Sequence, residues 1–206
     1  MVELETSQPT RRSVHIGRKP ASNIHHAIRI AEYSNRPLNV FVTVNFRLTA
    51  CLSDHESAAF EKLRRNHFTP WIRRNKKVGS ISPTYIWVLE RPNDAVGLHW
   101  ALHLPDALID EFGKLFPKWL ESVGAGAVTS NAIKIGPANT PRSLGLYLLK
   151  GMDPIYAALY GVNHIPQGVI FGKRSGFSRN AGPSAKKRMR AERRYPRPSV
   201  YIRLPA

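Results

Sequence analysis

The chain has a single cysteine, Cys51, in 206 residues. No internal disulfide can form, and a lone thiol suits a reducing interior. Acidic residues are scarce, with 14 Asp and Glu against 31 Lys and Arg. No apolar run approaches the roughly 18 residues that a membrane span needs. The N-terminal segment lacks the apolar stretch of a secretion signal, so the cytoplasm is the expected compartment. A glycine-rich phosphate loop is also missing: Gly124-Ala125-Gly126 has neither the lysine nor the spacing of one. Nucleotide-hydrolysing helicase activity is therefore not expected, and no internal repeat is visible.

What the chain has in excess is positive charge. The formal net charge is +17 and the sequence pI is near 10.6, beyond what solubility requires. Such an excess points to a polyanionic partner. A membrane surface would favour a long basic amphipathic helix with bulky apolar residues opposite. The basic segments here are rich in Gly, Pro, Ser and Asn instead, so nucleic acid is the expected partner and membrane is not. Arg73, Arg74, Lys76 and Lys77 form one run, which reads either as a phosphate contact or as a solvated helix end. From Gly172 onward come Lys173, Arg174, Arg179, Lys186, Lys187 and Arg188, with Glu192 as the only acid. Pro183, Pro196 and Pro198 rule out one long helix there. That segment reads as an arm that orders on a phosphate backbone.

The patterning predicts an α+β domain over residues 37–171. An N-terminal extension, 1–36, carries a short helix from Ser22 or Asn23 to Tyr33, and the basic tail occupies 172–206. Val40, Val42, Val44 and Phe46 alternate with Phe41, Thr43 and Asn45, which marks a strand with one greasy face. A helix capped by Ser53 carries Ala58, Phe60 and Leu63. A second strand runs from Thr84 to Glu90. A third, Leu98–Leu104, has Leu98, Trp100, Leu102 and Leu104 on one face and His99, Ala101 and His103 on the other. Asp106 caps a helix to about Val123, bent near Pro117. A short strand, Ala132–Ile135, precedes helices over Ser143–Met152 and Pro154–Tyr160. The order β-α-β-β-α-β is that of a split βαβ, ferredoxin-like antiparallel sheet, also the RNA-recognition arrangement, with helices on one face and the other face open.

Two features on this scaffold can carry chemistry. His99 and His103 share a strand face but sit roughly 13 Å apart at ~3.3 Å per residue, so they cannot share one metal ion unless the strand bends. Glu90 lies near the end of the adjacent strand. A histidine with carboxylate oxygens suits Mg2+ or Mn2+ better than a tetrahedral zinc site. Tyr147 and Lys150 are three apart on a helix and therefore neighbours. A tyrosine beside an ammonium can attack a phosphodiester and hold a DNA end covalently. His25, His26 and His55 lack ligand spacing, and Cys51 lacks a basic partner in sequence, so both are read as structural.

The order of these elements, the histidine strand third and Tyr147-Leu148-Leu149-Lys150 on a helix after the fourth strand resemble the HUH endonucleases. These are rolling-circle replication initiators of plasmids and single-stranded DNA phages, with related transposases and relaxases. Val40–Phe46 is similar to their first motif, Gly97–Pro105 to the histidine motif, and Tyr147–Lys150 to the tyrosine motif. The resemblance spans about residues 37 to 160. It implies Tyr147 as nucleophile, His99 as metal ligand (with Glu90 or His103 in support) and Lys150 as the residue that orients or activates Tyr147. The family sets two histidines around one bulky residue; the corresponding triplet here is Gly97-Leu98-His99, which lacks the first. Three expectations follow: a single-stranded or hairpin DNA endonuclease of replication-initiator type, a DNA-binding relative that does not cleave, and a basic RNA- or ribosome-binding protein. The last is disfavoured because an RNA-recognition sheet displays aromatics on its open face, where this third strand offers His99, Ala101 and His103.

Overall fold

The structure, a computed structural model, describes residues 11–138 and 140–195. The segment before residue 11, and Pro196, Pro198 and the last basic residues of the tail, lie outside these. Residues 1–20 read as disordered from their Thr, Ser, Gln and Pro content, but Arg12–Ser13 form a strand, Ile16 is buried and a helix starts at Arg18. The chain is an α+β protein built on a five-stranded antiparallel sheet. In chain order its elements are β1 (Arg12–Ser13), α1 (Arg18–Tyr33), β2 (Val40–Asn45), α2 (Glu56–Leu63), α3 (Thr69–Arg74), β3 (Tyr85–Glu90), β4 (Gly97–Leu102), α4 (Asp106–Leu120), β5 (Ile133–Pro137), α5 (Pro141–Leu148), α6 (Pro154–Ala157), β6 (Ile170–Phe171), β7 (Ser175–Phe177) and α7 (Pro183–Ala191). The sheet order is β5-β2-β4-β3-β7, and β1 pairs with β6 separately. No helix among the described residues is long and apolar enough to cross a membrane.

Alternation sets the first face. Val40, Val42 and Val44 of β2, Trp87 and Leu89 of β3, and Leu98, Trp100 and Leu102 of β4 enter one core. Successive strand residues point to opposite faces, so the apolar set of each strand falls on one side. Helices α2 to α4 close this side with Phe60, Leu63, Phe68, Ile72, Phe112 and Phe116. The aromatics meet edge to face: Phe68 lies 4.7 Å from Trp100 between ring centroids at 81°, and Phe60 lies 5.2 Å from both Trp87 and Trp100. Such pairs add about 0.5–1.5 kcal/mol each beyond burial. As expected, Pro117 lies within α4, here near its C-terminal end.

The second face is not open, as the sequence pattern predicted, but half covered. Helix α1 buries Ala21, Ile24, Ala27, Ile28, Ile30 and Ala31 against Ile86, Val88 and Ala101 of the sheet, Leu148 at the end of α5 with Leu149 just after it, and Ala185 and Met189 of α7. The reason is visible in β3, whose six residues are all buried: Ile86 and Val88 are apolar on the side opposite Trp87 and need a cover. Helix α1 also starts earlier than expected. Pro20 sits in its first turn, where a missing N–H costs no helical bond.

The basic segment after Gly172 is part of this fold. Strand β7 extends the sheet through Ile86↔Phe177, Trp87↔Gly176 and Val88↔Ser175. Gly176 is required there, since a Cβ would lie 2.7 Å from the Trp87 indole nitrogen. The tail thus supplies both the edge strand and one of the helices on the second face. The β2–β5 half of that face is left partly exposed.

Candidate functional site

Strand register brings the candidate residues to the second face. His99 lies between Val88 on β3 and Thr43 on β2, and Thr43 in turn faces Lys134 on β5. Glu90, the last residue of β3, pairs with Gly97. Helix α5 ends at Leu148, four residues earlier than the pattern predicted, and Lys150 lies in the turn that follows. The turn is held on both sides. The Lys150 carbonyl accepts from Ile165 N–H at 2.8 Å, the Gly151 carbonyl accepts from Ile16 N–H at 2.9 Å, and Asp153 N–H donates to the Ile16 carbonyl at 3.0 Å.

Four side chains meet there. Glu90 is 1% exposed, and its Oε2 accepts from Lys150 Nζ at 2.8 Å and from His99 Nε2 at 3.1 Å. Lys150 Nζ also lies over the Tyr147 ring, 3.8 Å from its centroid. The His99 ring meets Tyr147 edge to face at 5.3 Å and stacks parallel to Phe41 at 5.8 Å. Tyr147 itself is 44% exposed. It borders a cleft of about 410 Å³ whose walls include Phe41, Pro137, Thr140, Ser143 and Leu144. An exposed phenol therefore stands on a floor made of an imidazole, an ammonium and a buried carboxylate.

Electrostatics holds the floor in one charge state. Burial pushes the Glu90 carboxyl up, but the hydrogen bonds and charges of His99 and Lys150 more than offset this, and its pKa lies below the ordinary value. Burial alone would lower Lys150, but Glu90 and Tyr147 beside it hold its pKa above the ordinary lysine value. The result is a buried ion pair with an imidazole sharing the same oxygen. Two polar atoms remain buried without partners, Glu90 Oε1 and His99 Nδ1. In a neutral imidazole whose Nε2–H donates to Glu90, Nδ1 is the lone-pair nitrogen.

The expected metal set His99, His103 and Glu90 is only partly assembled. His103 follows β4, and its Nδ1 bonds the Pro37 carbonyl at 2.8 Å. Burial holds its pKa below the ordinary value, with Arg36 adding to the shift while Pro37 and Asp106 oppose it. The strand does not bend to bring His103 to His99. Among the described residues no group of three or more His, Cys, Asp or Glu side chains is arranged to hold a metal ion. At the floor itself, Lys150 already neutralises Glu90 from the position a cation would take. The residues present do not fit Mg2+ or Mn2+, so no step is derived through a metal ion.

The basic residues separate into classes that sequence could not distinguish. Arg174 is 5% exposed. Its guanidinium bonds the Ser13 hydroxyl and carbonyl at 3.2 and 2.8 Å and also the Gln167 and Gly168 carbonyls, and burial pulls its pKa down to about 10. It ties β1 and the 167–168 segment to β7 and is no surface contact for DNA. Lys77 pairs with Glu111 at 2.6 Å. Arg74 and Lys76 line a small surface recess beside it. Lys173 and Lys187 are exposed, and Lys186 lies 5.9 Å from the Tyr195 ring. Arg73, Arg179 and Arg188 line a single groove together with Arg36. Sequence reasoning passed over Arg36, Phe41 and Lys134. Phe41 and Lys134 were accessible through strand alternation, since both fall on the His99 face.

No protein-family model matches the chain. No curated protein matches it either. The candidate site therefore stands on its own geometry and on the order of its motifs.

Proposed function

We propose that this protein is a DNA-binding, replication-initiator-like protein that cleaves and rejoins single-stranded DNA through Tyr147. One observation carries the reading: segments far apart in sequence bring together Tyr147, Lys150, His99 and Glu90, residues the HUH resemblance singles out, although His99 and Glu90 bind each other and Lys150 in place of a metal ion. The order β5-β2-β4-β3 supports a split βαβ, ferredoxin-like core. Helices α2 and α3 join β2 to β3, and α4 joins β4 to β5, as the two crossovers of that arrangement.

In the proposed step the Tyr147 phenolic oxygen attacks a backbone phosphorus. A tyrosine–phosphate bond forms, and the bond from phosphorus to the 3′ oxygen breaks. The phenol gives up one proton and the leaving 3′ oxygen takes one, leaving a 5′-phosphotyrosine and a free 3′-hydroxyl; reversal rejoins the strand. Lys150 supplies positive charge where negative charge develops. His99 is the neighbouring base and Glu90 fixes its ring. Phe41 and Tyr147 offer faces on which a base can stack.

The test is incubation with labelled single-stranded oligonucleotides in Mn2+ and in EDTA, followed by denaturing gels. A covalent protein–DNA band that disappears in Tyr147→Phe and persists in EDTA is expected. A band that persists in Tyr147→Phe refutes the tyrosine assignment. A second reading, a DNA-binding relative that does not cleave, is favoured by Gly97 at the first histidine position. Tight, salt-dependent binding with no adduct on a varied pool would select it, and preference for RNA would overturn both.

A further inference from the structure

A groove of about 580 Å³ lies at the other edge of the sheet from the tyrosine cleft. Arg36 follows α1, Arg73 lies in the last turn of α3, Arg179 follows β7 and Arg188 lies on α7, and all four line this groove. The remaining described lining is uncharged and, apart from Tyr85, small, including Ser82, Asn180 and Ser184. Among the described residues no carboxylate lines the groove, and none of the four arginines forms an ion pair with an acid. Arg73, Arg179 and Arg188 are exposed. Four guanidiniums drawn from four elements around one cavity repel one another unless an anion sits between them.

Guanidiniums suit phosphates, which they bind through paired N–H donors. The lining also indicates which nucleic acid. Single-stranded binding relies on exposed aromatics on which bases stack, and the one aromatic among the described residues of the lining, Tyr85, is buried at 7% exposure. Arginines with Ser and Asn side chains are instead the set that contacts backbone phosphates of a duplex without reading bases. The groove is also separated from the cleft. Helix α1 packs against both α5 and α7 and lies between them. Strand β7 is three steps from β2 in the sheet, about 14 Å at ~4.8 Å per strand.

We infer that this groove binds the phosphodiester backbone of duplex DNA, as a site distinct from the Tyr147 cleft. The inference rests on the DNA reading above but not on cleavage. A substrate with a duplex beside a single strand would then engage both sites at once.

The experiment compares the full chain with the triple variant Arg73→Ala/Arg179→Ala/Arg188→Ala. A control variant, Lys62→Ala/Lys114→Ala/Lys118→Ala, removes equal charge from exposed positions elsewhere. Binding of a blunt duplex and of its isolated single strand is followed by fluorescence anisotropy across a salt series, with thermal melts to confirm folding. The triple variant is expected to lose duplex affinity by at least about tenfold and to flatten the log–log salt slope by about 2.7, from ~0.9 per phosphate contact. The control keeps most of both, and adduct formation on single-stranded DNA is unchanged. Equal duplex binding by the wild type and the triple variant overturns the groove and leaves the nicking reading intact. Groove-dependent duplex binding with no adduct under any condition leaves the groove standing and removes only nicking. Failure of the wild type to bind duplex DNA, or preference for duplex RNA, overturns the inference.

Discussion

The buried pair Glu90–Lys150 gives the sharpest test of how the site is held. Lys150→Met leaves a carboxylate that is 1% exposed with His99 as its remaining hydrogen-bond partner. Glu90→Leu leaves an ammonium whose side chain is 15% exposed with only the Tyr147 ring beside it. Breaking a buried pair from one side costs about 3–5 kcal/mol. Here His99 still donates to the carboxylate and Lys150 touches solvent, so about 2–3 kcal/mol per single variant is expected. The double variant removes both charges and refills the space with apolar atoms, and its expected cost is about 0–2 kcal/mol. Urea unfolding at neutral pH, with slopes compared between variants, measures all three. Costs that add to within about 0.5 kcal/mol in the double variant would refute the pairing. The pH dependence supplies an independent check. Glu90 titrates below its ordinary value of 4.5 in the fold, so its contribution is present above 4.5 and lost as pH falls through the lowered pKa. Lys150 titrates above its ordinary 10.5, so its contribution is present below 10.5 and lost as pH rises through the raised pKa. The gap between the wild type and the double variant should be flat between these limits and shrink outside them.

Three further outcomes are expected. Burial, together with Lys186, His25, Arg29 and Arg190, pulls His26 down to about 4, and its Nδ1 bonds the Tyr195 hydroxyl. The unfolded chain binds this proton at 6.5, so stability falls as pH drops from 6.5 towards 4; proton uptake on unfolding at pH 5 should be about one proton lower in His26→Gln. Gly176→Ala forces a Cβ against the Trp87 indole and should cost about 1–3 kcal/mol in chemical unfolding; a neutral result would mean that β7 does not seat on β3 as described. Deleting the chain from Gly172 onward removes β7 and α7 and bares β3, so the truncated protein should lose its cooperative thermal transition, whereas a merely appended arm would leave that transition unchanged.

Strands β2 to β5 and the Tyr147–Lys150 contact were legible for the same reason: their signals are periodic and local, whereas β1, β6 and β7 are too short to carry one. Alternation in Val40–Asn45 and Gly97–Leu102 fixed which residues share a face, and i, i+3 spacing joined Tyr147 to Lys150 even though the helix stops between them. The cover on the second face was not legible. Helix α7 buries only Ala185 and Met189 among six neighbouring basic and small residues, and β7 is three residues long. Against a background of charge, so little apolar surface reads as a solvated arm. The arginine groove was hidden for a different reason. Arg36, Arg73, Arg179 and Arg188 converge only through tertiary packing, and no sequence period links them. Arg174, in the same basic stretch, proved to be a buried clamp, so charge alone did not separate binding residues from structural ones.

Gly97 joins the resemblance to the geometry, because it stands where the HUH pattern has its first histidine. It lies on the face of β4 that carries His99 and pairs directly with Glu90. A Cβ there would meet only the Val44 carbonyl oxygen, at 3.8 Å, an ordinary contact that does not require the strand to move. Gly97→His would set a second imidazole about 6.6 Å along the strand from His99, at ~3.3 Å per residue, opposite the same carboxylate. The ammonium of Lys150 still competes for that carboxylate, so Lys150→Met must accompany the change. The double variant Gly97→His/Lys150→Met should then bind Mn2+, with a melting temperature that rises with added metal; about 2.7 kcal/mol of stabilisation corresponds to metal at a hundred times its Kd. The wild type and Lys150→Met alone should show no such rise. If Gly97→His/Lys150→Met also fails to respond, the donors do not converge on one ion, and the likeness of this strand to a histidine metal motif is one of sequence order alone.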